Sequence, residues 1–235
     1  MSCGIAPTVV ILDGMEPTPE ICARAQEVRR ILVAQWPVAE PLLHYGSCFE
    51  LLVAVVLSAQ TTDNQVNGVT PALFGRWPTP ADLAAAAPED VERYIHSVGF
   101  FRTKAKHLVR LARILVERHD GKVPQTMEEL LELPGVGRKT ANLVASACFG
   151  RPGIIADTHF LRVCHRLGLV ENRDPLAAER RTEVLIAPEH RTAFSHAVNR
   201  HGKFVCTARN PDCPTCPIQE LCPSARALGK PPSEG

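Results

Sequence analysis

The 235-residue chain is short of aromatic residues, which make up 5% of it, and β-branched runs are scarce. Such residues stabilise sheets, so their shortage argues against a sheet-rich fold. A long hydrophobic run is also missing. The longest, LLVAVVL from Leu51 to Leu57, falls far below the roughly 20 apolar residues that a bilayer crossing needs. No basic stretch followed by an apolar one opens the chain, so no export signal is expected. Net charge is nearly absent, at +1, so any charged partner must be read from where the charges lie. No repeat or low-complexity tract is present, and nothing asks for a membrane.

Hydrophobic residues at 45% are enough for a sizeable core. Their spacing is helical. In KAKHLVRLARILVERH, Leu108, Leu111, Ala112 and Leu115 share one helix face while Lys106, Arg110 and Arg113 turn away. Helix starts are marked by proline at Thr18-Pro19, Thr79-Pro80, Ala87-Pro88, Asp174-Pro175 and Ala187-Pro188, and Thr126 with Glu129 makes a candidate capping box. About ten helices and no strand are expected, so the fold class is all-α. The first dozen residues and the tail after Cys222 read as loose ends.

Acidic residues are absent from three basic blocks. Gly99 to Val116 holds Arg102, Lys104, Lys106, Arg110 and Arg113. Leu133 to Ala156 holds Arg138, Lys139 and Arg151. His190 to Arg209 holds Arg191, Arg200, Lys203 and Arg209. Any one of them reads as a solvated helix face; the three together predict a side that faces a polyanion. Of the nine cysteines, Cys3, Cys22, Cys48, Cys148 and Cys164 are scattered and expected to be free buried thiols. The other four, Cys206, Cys213, Cys216 and Cys222, have the spacing C-x6-C-x2-C-x5-C. That distribution points to a reducing compartment and one metal site, and the spacing by itself fits zinc or an iron–sulfur cluster.

In LPGVGRKTA, Leu133 to Ala141, Pro134-Gly135 stops one helical pattern and RKTANLVASACF resumes another after Gly137. LPGVG therefore reads as a tight hairpin between two helices. Its glycines permit positive φ and close approach to the backbone. Its amides, with the amino end of the second helix, make an anion site suited to phosphate, and Arg138 adds attraction. The competing reading of Lys139 is an ordinary phosphate-binding lysine. Asp157, after the apolar Gly153 to Ala156 and before THFLRV, reads as a helix N-cap.

LPGVGRKTA resembles the helix-hairpin-helix element of the endonuclease III family of DNA glycosylases. FELLVAVVLSAQTTD (Phe49 to Asp63), VGFFRTKA (Val98 to Ala105), IIADTHFLRV (Ile154 to Val163) and the C-terminal cysteines match in the same order, so the resemblance covers roughly residues 20 to 222. It implies a two-lobed helix-hairpin-helix glycosylase fold. Residues 41–149 would form a six-helix barrel with the hairpin at about 125–149. Residues 1–40 would pack with 150–235, which carry the cluster loop. The implied function is base excision repair by a glycosylase and AP lyase that removes oxidised pyrimidines from duplex DNA.

By that resemblance Lys139 is the nucleophile that attacks C1′ of a flipped-out nucleotide and forms a Schiff base, and Asp157 is the catalytic carboxylate. Gly135, Val136, Gly137, Arg138 and Lys203 bind DNA. Gln60 fills the space left by the flipped nucleotide and pairs with the orphan base, and Phe100 is a second wedge. Relatives commonly carry an aliphatic residue at that wedge; an aromatic would stack, and core packing after a glycine turn is the competing reading. Asp63 and His159 line the base pocket. The four C-terminal cysteines hold a [4Fe–4S] cluster of structural role. The partner is double-stranded DNA with damaged pyrimidines or abasic sites, the chain acts as a monomer, and the location is cytoplasmic, at the nucleoid. Three alternatives stay open. Two are adenine and thymine mismatch glycosylases of the same superfamily; Lys139 disfavours both, and the lack of an acid between Leu51 and Gln60 disfavours the adenine branch further. The third is a non-catalytic iron–sulfur DNA-binding protein.

Overall fold

The computed structural model describes residues 17–37 and 41–225; Cys3, the whole of the first dozen residues and the tail beyond residue 225 lie outside them. Among the described residues there are eleven α-helices, one 3-10 turn and no strand. Each of the five proline-marked starts opens a helix with proline in its first turn. Thr126 caps its helix by accepting from the Glu129 amide at 3.3 Å. The chain separates into two compact units, one running Pro41–Arg151 and the other joining the segment before it to the segment from Pro152 onward.

The unit Pro41–Arg151 is built around α2 (Cys48–Ser58). Every residue from Leu51 to Leu57 is buried, so this helix is apolar all round rather than amphipathic, as a core helix should be. Packed about the core are α3 (Asp63–Arg76), α4 (Pro80–Ala84), α5 (Pro88–Ile95), α6 (Phe101–His119), α7 (Met127–Leu131) and α8 (Arg138–Phe149). On α6 the sequence pattern is realised: Leu108, Leu111, Ala112 and Leu115 are fully buried, and Lys106, Arg110 and Arg113 are exposed.

Two expectations fail in this unit. Cys48 and Cys148 are not free thiols but are joined as a disulfide, across a sequence separation of 100 residues and a Cα–Cα distance of 5.7 Å. The packing of α2 against α8 brings the first residue of one helix to the end of the other, and no periodicity encodes that meeting. Lys104, counted above among the basic residues of a polyanion-facing side, is buried with 6% exposure.

The second unit is formed by α1 (Pro19–Gln35), α9 (Thr158–Arg166), α10 (Pro175–Leu185), α11 (Pro188–Phe204) and the 3-10 turn Gln219–Leu221. Its core joins Ala25, Val28 and Leu32 of α1 to Phe160 and Cys164 of α9 and Phe194 and Ala197 of α11. Cys164 is a buried thiol, and burial pushes its pKa far up. Gly202 sets the closest approach of α9 and α11. A Cβ there would lie 2.9 Å from the Cβ of His159 and 3.1 Å from its carbonyl oxygen.

Candidate active site

The hairpin is fixed by Gly135. Its φ is +79°, and a Cβ at this position would lie 3.1 Å from both His107 Nδ1 and Val56 Cγ1. Left-handed geometry and crowding thus both call for glycine. Gly137 is different: it is the extended N-cap of α8, with φ −100° and open space where a Cβ would stand. Leu133 and Val136 are buried and hold the turn on the core, with the Val136 amide donating to the Leu133 carbonyl at 3.1 Å. Val136 therefore offers a partner its backbone, not its side chain.

Gly135, Gly137, Arg138 and Lys139 are exposed, and Arg138 and Lys139 are the first two residues of α8. Exposed glycines and cations at the positive end of a 12-residue helix form an anion-attracting surface. Lys104 is the other lysine that burial would nominate as a nucleophile. It is already committed. Its Nζ donates to the Leu57 carbonyl at 2.8 Å, the Ala59 carbonyl at 2.6 Å and Thr61 Oγ1 at 3.0 Å. Three acceptors use all three ammonium protons. Burial lowers its pKa, yet those neutral oxygens hold it as a cation.

Gln60 and Phe100 share an uncommon backbone. Among the described residues only Gln60, Phe100 and Asp120 have positive φ without being glycine, at 54°, 58° and 51°. Strained residues gather where function requires them. Gln60 is exposed, and Phe100 is 67% exposed. The core-packing reading of Phe100 is therefore corrected. Phe100 is left-handed just before α6, and that geometry turns its side chain out to solvent. Asp63, half-buried, opens α3 behind a capping box made by Thr62 and Gln65.

In the second unit, Asp157 is the N-cap of α9. Its Oδ1 accepts from the amides of His159 and Phe160, each at 2.9 Å. The segment before it is buried and pinned by α11. The Ile155 amide donates to Ser195 Oγ at 2.6 Å, and Asn199 Nδ2 donates to the Ile155 carbonyl at 3.1 Å. A short apolar segment fastened at both backbone polar groups delivers the carboxylate to a fixed place. His196 on α11 is 8% exposed. Its pKa is lowered to about 4 by burial first and by Arg200 second, while Asp157 pulls the other way. The imidazole is thus neutral at pH 7 and sits within the field of that carboxylate.

The half-buried His159 has its Nδ1 3.0 Å from Arg162 Nη2. Arg162 also donates to the carbonyls of Gly202 at 2.7 Å and Cys206 at 3.0 Å. One turn on, Arg166 reaches Cys206 Sγ at 3.2 Å and the carbonyls of Thr207 at 2.8 Å and Ala208 at 3.0 Å. The helix that begins at Asp157 thus carries the two arginines that fasten the cysteine loop. Sequence reading missed both, although their spacing of four in FLRVCHR places them on one helix face. Lys203 is exposed, with Nζ 5.8 Å from the centroid of the Phe204 ring. Arg191 belongs to the fold instead. It donates to the carbonyls of Ile186 and Glu183 and is 3.8 Å from the Glu183 carboxylate.

Cys206, Cys213, Cys216 and Cys222 line one cavity with Val163, Leu167 and Ile218. Burial, then the neighbouring cysteine sulfurs, raise the Cys216 thiol to about 11 and also raise Cys213 and Cys222. Thiols raised in this way ionise when a cationic centre takes them as thiolates, so the set of four sulfur donors around one cavity fits a metal cluster. Among the described residues no three donors converge as the ligands of a single ion would. A cluster that bonds each thiolate through a different iron does not need that convergence.

Residues 53–188 match the HhH-GPD superfamily of base excision DNA repair proteins, and residues 206–222 match the iron–sulfur binding domain of endonuclease III. The chain is 48% identical to endonuclease III of Synechocystis over 87% of its own length and 94% of that protein's. It is 41% identical to endonuclease III of Escherichia coli K12, over 77% and 85%. A solved structure of a trapped endonuclease III–DNA covalent intermediate superposes with a TM-score of 0.85 at 38% identity, covering 89% of this chain and 99% of that one. A thermostable thymine-DNA glycosylase, at 22% identity and a TM-score of 0.79, shares the fold. The all-α fold, the hairpin with its lysine and the [4Fe–4S] loop come together in one conclusion: the chain belongs to the endonuclease III family of base excision repair enzymes, DNA glycosylases with AP lyase activity.

Proposed function

We propose that this enzyme binds duplex DNA, removes oxidised pyrimidines and cuts the strand 3′ to the abasic site through a Schiff base on Lys139. The neutral Nζ attacks C1′ as the glycosidic bond breaks, and the base leaves with the bonding electrons and takes up a proton. Loss of the amine proton and opening of the sugar ring give the Schiff base. Removal of a C2′ proton then expels the 3′ phosphate, and water releases the sugar remnant. Asp157 supplies a fixed carboxylate that favours the cationic sugar. The two helix amides that its Oδ1 accepts from hold that carboxylate in place.

Exposure and position support the remaining roles. Gly135, Val136 and Gly137 present backbone to a phosphate beside Arg138, while Lys203 adds charge to the backbone contact. Gln60 enters the space of the flipped nucleotide and pairs with the orphan base, and Phe100 stacks in the opened step. Asp63 and His159 line the base pocket. Residues 41–149 act as the hairpin-bearing barrel domain, and 1–40 with 150–235 as the cluster domain. Cys206, Cys213, Cys216 and Cys222 hold the [4Fe–4S] cluster, which serves the loop's shape. The enzyme works as a monomer inside the cell, at the chromosome.

The observation that carries this reading is an exposed lysine in the first turn of α8, just past a turn that only glycine can make. Borohydride trapping on a thymine glycol duplex tests it. The natural chain should give a covalent adduct, Lys139→Gln none, and Asp157→Asn should release base far more slowly while still binding DNA. Normal turnover by either variant would overturn the assignment.

A further inference from the structure

We propose that Lys104 is a positioning residue that clamps the turn carrying Gln60 to the turn carrying Phe100, so that both side chains enter the duplex as one two-pronged wedge. The inference rests on the roles given to Gln60 and Phe100 above. Its ground is geometric. The three acceptors of Lys104 Nζ are the carbonyls of Leu57 and Ala59 and the hydroxyl of Thr61, so they flank Gln60 on both sides. A left-handed glutamine is strained, and an unsupported turn would relax and swing the side chain away. Lys104 prevents that from within the protein, leaving the outer face of the turn exposed.

The second prong lies one helical turn from this grip. Phe100 is the N-cap of α6, and its carbonyl takes the ordinary first-turn bond from the residue-104 amide at 3.0 Å, which Lys104→Met leaves intact. Gly99 completes the junction: a Cβ there would lie 3.4 Å from the Gln60 carbonyl oxygen and 3.7 Å from Thr61 Oγ1. The two turns are therefore in contact. A plain helix stop for α2 would not need a buried cation, since glycine or water satisfies the last carbonyls at far lower desolvation cost. A lysine whose three protons tie three points around one strained residue fits a demand for fixed aim.

The test is a double-mutant cycle of Lys104→Met with Gln60→Ala, read as single-turnover base release from thymine glycol. One duplex places adenine opposite the lesion, and the other a tetrahydrofuran abasic analogue that leaves no base to pair. Circular dichroism and iron content check folding. Opposite adenine, each single variant should slow release about tenfold, and the double variant should be no slower. Opposite the abasic analogue, Lys104→Met should lose less than about twofold. Wild-type rates for Lys104→Met, losses that multiply with Gln60→Ala, or equal losses on both duplexes would each overturn the clamp. A wild-type rate for Gln60→Ala would instead sink the wedge reading itself. If Lys104→Met does not fold, Thr61→Val removes one acceptor and should lose about threefold, again only opposite adenine.

Discussion

The two compact units bring their functional groups into place by different means. In Pro41–Arg151 the support is apolar: α2 is buried all round, and the hairpin rests on Leu133 and Val136. The candidate site positions there are backbone exceptions on a stiff core, with Gly135, Gln60 and Phe100 all left-handed. In the other unit the support is polar. Ser195 and Asn199 pin the segment before Asp157, and Arg162 and Arg166 fasten a cysteine loop that has little apolar material of its own. A close-packed core tolerates strain because its neighbours cannot move. A loop without a core must be tied by hydrogen bonds and by its cofactor.

Removing a cluster ligand should have the largest effect. Cys216→Ser should drop iron from about four per chain to well below one and lower the melting temperature of the second unit. If that variant keeps its stability without iron, the loop does not depend on its cofactor. Next comes the contrast between the hairpin glycines. Gly135→Val should cost about 2–3 kcal/mol through its positive φ and its contacts with His107 and Val56, while Gly137→Ala should cost less than about 1 kcal/mol. Equal losses in urea unfolding would show that the apolar unit does not hold the turn as described.

Arg166→Met should follow, at about 1–2 kcal/mol, since it orphans two carbonyls of a partly exposed loop; faster iron loss to a chelator is the sharper readout. The smallest effect concerns His196. Its folded pKa, about 4, lies below the unfolded value of about 6.5. The unfolded state therefore takes up a proton first as pH falls, and stability is lost from about 6.5 down to about 4. Between pH 7 and pH 5.5 the loss should be about 1 kcal/mol, and His196→Asn should lack it. An unchanged acid limb in that variant would remove His196 from the account.

Much of this was legible beforehand where a signal is local. A proline after a capping residue starts a helix whatever surrounds it, because the ring's fixed φ and missing donor suit that position. The buried face of α6 and the N-cap role of Asp157 follow in the same way. Lys104 was not legible. Its residue type and basic neighbours predict solvent, and only the fold of α2 against α6 turns it inward. The Cys48–Cys148 bridge was hidden for the same reason, as was the grip of Arg162 and Arg166 on a loop 40 residues or more away.

By itself, the order of residues determined the helical class, the hairpin at Leu133 to Gly137 and the four-cysteine loop. Each depends on neighbours within a turn or two, where backbone sterics and spacing act directly. Tertiary structure alone decided which lysine is buried, which way Phe100 faces and which cysteines meet. Those outcomes depend on contacts between segments far apart in the chain, whose free energy exists only once the core has closed around them.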